Sequence, residues 1–530
     1  MLFTSYSFII FLVLLFATYY LIPKKYQWIL LLFASYTFYF FAGSKYILYI
    51  LFTTISTYII SRKIGSLHNK KSTYLKENKG KLSRQEKKEY KASIKSIQWK
   101  WLVLCLLLNF GILAIVKYSN FTIANINYVL GSFGSKTTLS FWDIALPMGI
   151  SFYTFQTMGY IIDVYRGKYT YEKNFFKLAL FVSFFPQLVQ GPINRFDDLS
   201  KTLFEKHSFD SRNISFGLQR IMWGYFKKLV IADRILVAVN ILVRNPGEYQ
   251  GVFVFVGMMF YALQLYADFT GGIDITIGIA EVMGIKIKEN FIRPYFSKSI
   301  AEFWRRWHIT LGTWFKEYMF YPISVCKPML KLSKTCRKRF GDAIGKRVTV
   351  YIATIVVWFT TGLWHGSSWN FIVWGLMNCF FILVSQELSP LYDRFHNRYN
   401  VKHTVSFRLF QVVRTVLLMS SIRMFDCYRD VPTTFRMFGT MFTKWNFNEL
   451  FNGSLMELGL SLADYYILLI GVIILVAVSL IQRKGSIRCM LAEKPQPIRY
   501  VVNYAMFYAI VIFGAYGIGY DSSQFIYNQF

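Results

Sequence analysis

Charged residues are scarce in this 530-residue chain. Asp, Glu, Lys and Arg together make up only 17% of it, whereas 54% of the residues are hydrophobic and 19% are aromatic. The mean hydropathy is +0.35. Such a composition excludes an ordinary soluble domain, and it predicts an all-α protein that crosses a membrane many times.

Acidic residues are scarcer than basic ones. The chain has 28 Asp and Glu against 60 Lys and Arg, which gives a formal net charge of +32. In a membrane protein, an excess of this kind is first explained by basic loops on the cytoplasmic side. Nucleic-acid binding is the other explanation. We predict no nucleic-acid partner, because the lysines cluster between apolar runs.

Several kinds of site have no signature in the sequence. The six cysteines are scattered, without the spacing of a metal site or of a disulfide framework, so we predict no metal site. Walker loops, GxSxG elbows, HExxH pairs and GxGxxG turns before a helix do not stand out. No internal repeat of the kind found in inverted-repeat transporters is visible, which weighs against a transporter.

The apolar runs give the order of the predicted membrane segments. Runs near 2–22, 27–43 and 45–60 precede the most charged stretch, 62–100, which we predict to be a solvated cytoplasmic loop with some helix. Three crossings before that loop place the N-terminus outside the cell. After a fourth crossing comes a stretch rich in Ser, Asn, Thr and Gly, at 118–140, which we predict to be an external loop.

Later segments are less regular. The run at 176–188 leads into a Gly-Pro pair and predicts a re-entrant or short crossing. The long run at 216–243 is interrupted by Lys227, Lys228, Asp233 and Arg234, so one of its faces is polar. A basic stretch at 331–347 is predicted to lie inside the cell. Further apolar runs are 348–364, 369–386, 408–422, 464–482 and 500–519.

The apolar segment 252–285 contains two aspartates. Asp268 and Asp274 are on different faces of a continuous helix, and a Gly-Gly pair between them predicts a local break. Acids at such a place can bind a cation, hold a helix terminus or pair with an arginine. We favour a pair with Arg305 or Arg306.

The chain has only six histidines, and two of them are flanked by tryptophans in apolar surroundings. His308 belongs to the stretch Phe303–Pro322, FWRRWHITLGTWFKEYMFYP. If Phe303–Tyr318 is one helix, the i, i+3, i+4 and i+7 spacings place six side chains on one face: Trp304, Trp307, His308, Leu311, Phe315 and Tyr318. The pattern predicts an amphipathic helix at a membrane interface or along a cavity.

The other histidine, His365, belongs to the stretch Thr361–Phe371, TGLWHGSSWNF. Gly366 and Ser368 supply a helix stop and an N-cap, so His365 is predicted to lie at a break between two membrane helices. Irregular backbone at that depth needs cover from protein or a water-filled cavity. A titratable side chain there marks a candidate functional site. For both histidines, the alternative is a packing role beside tryptophan.

These motifs carry a resemblance to a known family. FWRRWH, followed by a Trp-Phe-Lys-Glu-Tyr run and then by GLWHG, WNF and WG, resembles the membrane-bound O-acyltransferase family. The pattern is most similar to its bacterial alginate O-acetyltransferase branch, which moves acetyl groups across the membrane onto cell-surface polysaccharides. Supporting stretches occur in the family's order within residues 1–390: Gly149–Gln156, Asp163–Gly167, Phe185–Pro192 and Asp268–Gly271.

The resemblance implies one transmembrane domain over residues 1–530. It would contain about 11–13 transmembrane or re-entrant helices in a ring around a central catalytic tunnel. In this domain the basic cytoplasmic loop is 62–100, the core with the motifs is 143–390, and the C-terminal helices are 400–530.

The resemblance also assigns roles to single residues. The family's invariant histidine falls on His365, which we expect to be the general base that takes a hydroxyl proton. The second functional histidine falls on His308, which would position the thioester or a proton. Arg305 and Arg306 would contact phosphate or carboxylate groups. The other candidate substrate- and donor-binding residues are Trp364 and Trp369 as tunnel walls, Asn370 as a donor to the carbonyl oxygen, and Trp304, Trp307 and Asp268.

The expected activity follows from the same resemblance. An acetyl group would pass from cytoplasmic acetyl-CoA, with no bound cofactor, to a hydroxyl of a cell-surface polysaccharide. The transfer would be direct or would use an extracytoplasmic acetyltransferase partner, in a bacterial plasma (inner) membrane and in contact with membrane lipid. Two alternatives remain open: D-alanyl transfer to teichoic acid, and a transporter whose histidines relay protons.

Overall fold

The computed structural model of the protein describes residues 3–516. Helices account for its regular secondary structure, and the described residues contain a single isolated β-bridge and no strand. The predicted all-α class is thereby confirmed. The predicted domain 1–530 and the apolar run predicted to end at 519 both extend to residues that lie outside the described ones.

Seven helices within residues 3–516 are long and apolar enough to cross a membrane, since a crossing needs about 20 predominantly apolar residues. The chain is therefore a multi-pass membrane protein. The predicted number of about 11–13 segments also counted shorter and re-entrant ones, such as the apolar helix Tyr6–Leu21. The seven candidate spans are Ser44–Glu77, Arg84–Ser132, Val252–Val282, Asp342–His365, Trp369–Glu387, Val405–Tyr428 and Leu462–Ile481.

One compact unit comprises residues 3–213 and 280–287. Its longest helix has 49 residues and is about 74 Å long at 1.5 Å per residue, more than twice the ~30 Å hydrocarbon thickness of a bilayer. The helices are α1 Tyr6–Leu21, α2 Gln27–Phe40, α3 Ile47–Glu77, α4 Arg84–Ser132, α5 Ile150–Arg166, α6 Phe175–Ser183, α7 Phe185–Gln190 and α8 Phe196–Leu203.

The charged stretch 62–100 is helical over most of its length. Helix α3 continues to Glu77, and α4 begins at Arg84. A capping box fixes the start of α4, because Ser83 Oγ accepts from the backbone N–H of Glu86 at 3.1 Å while the Ser83 N–H donates to the Glu86 carboxylate at 2.7 Å. The sequence-based prediction of a loop with some helix therefore underestimated the helix.

The predicted external loop at 118–140 is wrong for residues 118–132, since α4 continues through them to Ser132. Serine hydroxyls in this stretch donate hydrogen bonds to backbone carbonyls of the same helix. Ser119 Oγ donates to the Ile115 carbonyl at 2.6 Å, and Ser132 Oγ donates to the Tyr128 carbonyl at 2.9 Å. Serine and threonine can donate to the carbonyl four residues earlier without ending a helix, so their abundance was a misleading sign of a loop.

The segment predicted to be re-entrant or short is indeed broken. Helix α6 ends at Ser183, α7 begins at Phe185, and α7 ends at Gln190 before the Gly-Pro pair. Pro186 lies in the first turn of α7, where its missing N–H does no harm. Both pieces are too short to cross a bilayer alone.

The other compact unit comprises residues 214–279 and the described residues from 288 to 516. A π-helical turn at Phe226–Ala232 joins its first two helices. Lying in this unit wholly or for most of their length are α9 Ser211–Tyr225, α10 Asp233–Arg244, α11 Val252–Val282, α12 Ile300–Arg306, α13 Ile309–Phe315, α14 Tyr321–Ser324, α15 Lys327–Phe340, α16 Asp342–His365, α17 Trp369–Glu387, α18 Ser389–Arg398, α19 Val405–Ile422, α20 Met424–Tyr428, α21 Val431–Thr443, α22 Leu462–Ile481, α23 Ile487–Ala492 and α24 Gln496–Phe513.

Helix α11 is continuous, so the break predicted at its Gly-Gly pair is wrong. Gly271 of this pair packs closely against α9 instead, because a Cβ atom on it would lie 2.9 Å from the carbonyl oxygen of Gly224. A Cβ atom on Gly224 would lie 2.6 Å from the carbonyl oxygen of Gly271, and one on Gly278 would lie 2.7 Å from that of Gly217. Small residues in membrane helices allow the backbones to approach this closely.

Candidate active site

The backbone breaks at Trp307 and His308, so the prediction of one helix over Phe303–Tyr318 is wrong. Helix α12 ends at Arg306, Trp307 is extended, and His308 has a left-handed backbone with φ 48° and ψ 52°. Trp307 forms an antiparallel bridge with Phe291. The side chains expected on one helical face therefore belong to two short helices and the break between them.

Hydrogen bonds to a neighbouring segment explain why the helix is interrupted. The Ile292 N–H donates to the Arg306 carbonyl at 2.9 Å, and the Ile309 N–H donates to the Asn290 carbonyl at 3.0 Å. These bonds satisfy backbone groups that a continuous helix would have paired internally. A left-handed backbone at a non-glycine residue is uncommon and is often found at functional sites.

Asn290 fixes the position of His308. Its side chain is fully buried, and its Oδ1 accepts from the N–H of Thr310 at 3.0 Å and from the Thr310 hydroxyl at 2.9 Å. The His308 Nδ1 lies 3.3 Å from Asn290 Nδ2 and 3.4 Å from its Oδ1. Thus one asparagine connects the left-handed histidine to the first turn of α13.

The rings of both candidate histidines contact the ring of one tryptophan. The ring centroid of Trp364 is 5.8 Å from that of His308 and 5.1 Å from that of His365. His365 also contacts Trp374, with 4.6 Å between the centroids, and His308 contacts Phe269 at 5.1 Å. The structure therefore brings together two histidines that are far apart in sequence.

The two histidines differ in exposure. His308 lies outside the candidate spans and is only 3% exposed, and burial lowers the pKa of its imidazole to about 3 because the charged form loses hydration. It is therefore neutral at physiological pH. His365 is partly exposed at the last position of α16, where a reactant can reach it.

The predicted helix break at His365 is confirmed. Helix α16 ends there, and α17 begins at Trp369. The break requires a glycine at position 366, because a Cβ on Gly366 would lie 2.1 Å from the Phe371 ring. Ser368 occupies the N-cap position without making a side-chain cap bond. Its hydroxyl donates instead to Asn370 Oδ1 at 2.6 Å.

A cluster of tryptophans continues the site from Trp374. The Trp304 centroid lies 5.6 Å from that of Trp374 and 4.9 Å from that of Trp358. Trp304 Nε1 donates to Asn378 Oδ1 at 3.1 Å. Edge-to-face packing and an amide partner together hold these rings in fixed orientations.

Arg423 lies at the other side of this cluster. Its guanidinium carbon is 4.3 Å from the centroid of the Trp307 ring and 6.0 Å from that of Trp304. The side chain is only 3% exposed. A buried guanidinium over an aromatic face is stabilised by a cation–π interaction, so Arg423 holds Trp307 in place.

The remaining predicted residues have other surroundings. Asn370 is buried, and its Nδ2 donates to the Phe425 carbonyl at 3.0 Å, so part of its donor capacity joins α17 to α20. Trp369 is 58% exposed and is not part of the buried cluster. Arg305 is exposed, while Arg306 pairs with Glu302 at 2.5 Å.

Asp268 pairs with a lysine, so the predicted ion pair with Arg305 or Arg306 is wrong. Lys228 Nζ lies 2.7 Å from Asp268 Oδ1 and 2.7 Å from Asp233 Oδ1, and all three side chains are fully buried. Buried charges need partners of opposite sign, and the π-helical turn brings Lys228 to α11.

The structure thus brings some of the predicted residues together in one candidate site and adds further residues to that site. Trp304, Trp307, His308, Trp364 and His365 come together, whereas Asp268 faces Lys228. Sequence reasoning missed five residues of the site. No periodic signal marks them, because their roles depend on contacts between segments: Asn290, Trp358, Trp374, Asn378 and Arg423.

The arrangement offers a neutral imidazole, a second and more accessible imidazole, and aromatic walls that limit access of water. Such a site can accept a proton from a hydroxyl group near neutral pH. Among residues 3–516 there is no cluster of three or more His, Cys, Asp or Glu side chains that could hold a metal ion.

Comparison with known proteins finds similarity to membrane acyltransferases. Residues 170–336 match the model of the membrane-bound O-acyltransferase family. A probable alginate O-acetylase of Pseudomonas syringae pv. tomato is 31% identical over 461 residues, which cover 86% of this chain and 78% of that protein. The probable alginate O-acetylase of Pseudomonas putida is 32% identical, with 85% and 82% covered. A peptidoglycan O-acetyltransferase of Helicobacter pylori is 32% identical, with 56% and 57% covered.

Proposed function

Since this chain belongs to the membrane-bound O-acyltransferase family, we propose that it is a bacterial membrane O-acetyltransferase that acts on a cell-surface polysaccharide. The names of the relatives describe O-acetylation of alginate and of peptidoglycan. The observation that carries the proposal is that the rings of His308 and His365 both contact the ring of Trp364.

In the proposed reaction His365 is the general base. It takes the proton of the acceptor hydroxyl while the oxygen attacks the thioester carbonyl. The carbon–sulfur bond then breaks, the acetyl group remains on the acceptor oxygen, and the thiolate leaves with a proton returned by the imidazolium. The partial exposure of His365 at the end of α16 supports this assignment.

His308 has a different role in this proposal. Because its imidazole is buried and neutral, it can donate or accept a hydrogen bond without adding charge. Asn290 holds it in one orientation, as expected of a group that positions a thioester or a proton. Trp304, Trp307 and Trp364 would form the walls around the reacting groups.

The donor and acceptor follow from chemistry and topology. We propose acetyl-CoA as the cytoplasmic donor, with no bound cofactor, and a polysaccharide hydroxyl as the acceptor. The transfer would be direct or would pass through an extracytoplasmic partner protein. We also propose that the N-terminus lies outside the plasma membrane, as the positive-inside rule predicts from the basic stretch 62–100. The ring of helices around a tunnel stays a prediction from the family.

The proposal is tested by measuring ester-linked acetate on the cell-surface polysaccharide. Mild base releases the acetate from cells that carry the wild type, His365→Ala or His308→Ala at matched protein levels. His403→Ala is the matched control, because it removes an exposed histidine far from the two motifs in sequence. Released D-alanine is measured in the same extracts.

We expect acetate to fall to the level of a deletion strain with His365→Ala, to fall partly with His308→Ala, and to stay unchanged with His403→Ala. Unchanged acetate in all three variants would overturn the proposal. Loss of D-alanine in place of acetate would also overturn it, in favour of D-alanyl transfer to teichoic acid.

A further inference from the structure

The unit formed by residues 214–279 and 288–516 contains a cavity of about 800 Å³. We call it the basic cavity. Residues of α9, α11, the segment 289–293, α22, α23 and α24 form its walls. Its volume lies within the range of roughly 300–1,000 Å³ that is usual for small-molecule sites. The activity proposed above does not use it.

Charged side chains form one part of the wall, and among the described residues that line it four are cations and two are carboxylates. Arg220 pairs with Asp274 at 2.9 Å and with Glu289 at 2.6 Å, and Lys227 pairs with Asp274 at 2.5 Å. These two cations and two carboxylates balance each other. Arg293 and Arg488 also line the cavity and give the wall two further positive charges.

Arg293 lies near two other arginines, Arg306 and Arg483. Its backbone is left-handed, with φ 46°, and within the part of the chain that the structure describes its guanidinium makes no salt bridge. Burial, together with the charges of Arg306 and Arg483, lowers its pKa. A neighbouring anion would therefore be attracted by more than one guanidinium.

Arg488 is fixed by its own contacts. Its Nη1 donates to the Phe216 carbonyl at 2.9 Å, and its guanidinium carbon lies 5.4 Å from the centroid of the Phe216 ring. Arg488 follows α22 in the basic stretch Arg483–Arg488, which begins two residues after that membrane helix ends. A basic group at the end of a span lies near the lipid headgroups.

Most of the remaining wall is apolar, and the cavity opens to the outside of the unit. Ile474 and Val478 contribute from α22, and Val501, Val502 and Met506 contribute from α24. Val501 is 68% exposed and Val502 is 43% exposed. Since α22 is a candidate membrane span, we expect lipid hydrocarbon outside this opening.

We propose that the basic cavity binds an anionic phospholipid, with its headgroup at Arg293 and Arg488 and an acyl chain between α22 and α24. Basic pockets between membrane helices are suited to anionic headgroups. The apolar wall and its opening between lipid-facing residues favour a molecule that enters from the bilayer. A soluble anion would leave most of this wall in contact with water, which is unfavourable.

The experiment uses the purified full-length protein in a mild detergent. Native mass spectrometry counts bound phosphatidylglycerol and, separately, bound phosphatidylcholine with the same acyl chains. The charge variant is Arg293→Gln with Arg488→Gln. Its matched control, Lys338→Gln with Arg339→Gln, removes two exposed cations of α15 that do not line the cavity. Gel filtration checks that each variant folds.

A second pair of variants tests the apolar wall without changing charge. Ala505→Phe fills the cavity from α24, and Val511→Phe adds the same ring to the same helix at an exposed position that does not line the cavity. This pair decides the outcome if the charge variant does not fold. Coenzyme A is added as a soluble competitor that carries phosphate.

We expect one phosphatidylglycerol to bind more tightly than phosphatidylcholine. The charge variant should lose roughly five-fold in affinity for each cation removed, and Ala505→Phe should weaken binding while both controls do not. Equal binding of the two lipids, or equal binding by the charge variant and its control, would overturn the proposal. Displacement of the lipid by coenzyme A would overturn it too, and would assign the cavity to the acyl donor. Because the readout is binding, it is independent of acetyl transfer.

Discussion

Changing Asn290 to Asp would test whether a neutral His308 is needed for catalysis. The substitution keeps an oxygen that can accept from the Thr310 N–H and hydroxyl, now at 3.0 and 2.9 Å. It also places a carboxylate where the amide now lies, 3.3 to 3.4 Å from His308 Nδ1. The shape of the site is preserved, and only its charge changes.

The size of the effect follows from this distance. Burial lowers the pKa of His308 to about 3 in the native protein, so the imidazole is neutral near pH 7. A carboxylate at 3.3 Å attracts the imidazolium by about 5 kcal/mol at an effective dielectric constant of ~20, which is roughly 4 pKa units. An opposite charge favours the protonated form, so the pKa of His308 should rise to about 7.

The assay is the rate of acetyl transfer from acetyl-CoA by membrane vesicles between about pH 5.5 and pH 8.5. Relative to the wild type, Asn290→Asp should retain activity at the alkaline end and lose about ten-fold per pH unit below about 7. Asn378→Asp is the matched control. It makes the same change at another buried asparagine, whose Oδ1 accepts from Trp304 rather than contacting His308. If Asn290→Asp has the same pH profile as the wild type, His308 does not act as a neutral group.

Four further substitutions have expected outcomes. Gly224→Val should destabilise the protein by several kcal/mol, because its Cβ would lie 2.6 Å from a carbonyl oxygen. By contrast, a Cβ at Gly111 has no atom within 4 Å, so Gly111→Ala should stabilise its helix by about 1 kcal/mol. The midpoints of thermal unfolding measure both effects, and equal midpoints for the two variants would contradict the close packing. Lys228→Met should cost about 3–5 kcal/mol, because it leaves two buried carboxylates without their shared cation, and an unchanged midpoint would refute this. Trp304→Phe removes the hydrogen bond to Asn378 at 3.1 Å and should reduce polysaccharide acetate partly, by about five-fold in rate for ~1 kcal/mol; full activity would show that this bond does not orient the ring.

The order of apolar segments and the break at His365 could be predicted because both signals are local. A run of apolar residues defines a possible membrane helix by itself. At the end of α16, Gly366 stands where a Cβ would meet the Phe371 ring, only a few residues along the chain. Local signals also misled: serines of α4 donate hydrogen bonds to carbonyls of their own helix, and Gly271 of the Gly-Gly pair packs against α9 instead of breaking α11.

The sequence by itself determined that this is a helical membrane protein with two histidine motifs of the O-acyltransferase type, because hydrophobicity and motif spacing are properties of the chain. Tertiary structure decided the rest of the site. Helical periodicity predicted one face from Trp304 to Tyr318, yet bonds from the segment around Asn290 interrupt the helix at His308. Lys228 reaches Asp268 across 40 residues of sequence. Contacts of this kind depend on which segments lie side by side, and no local pattern encodes that.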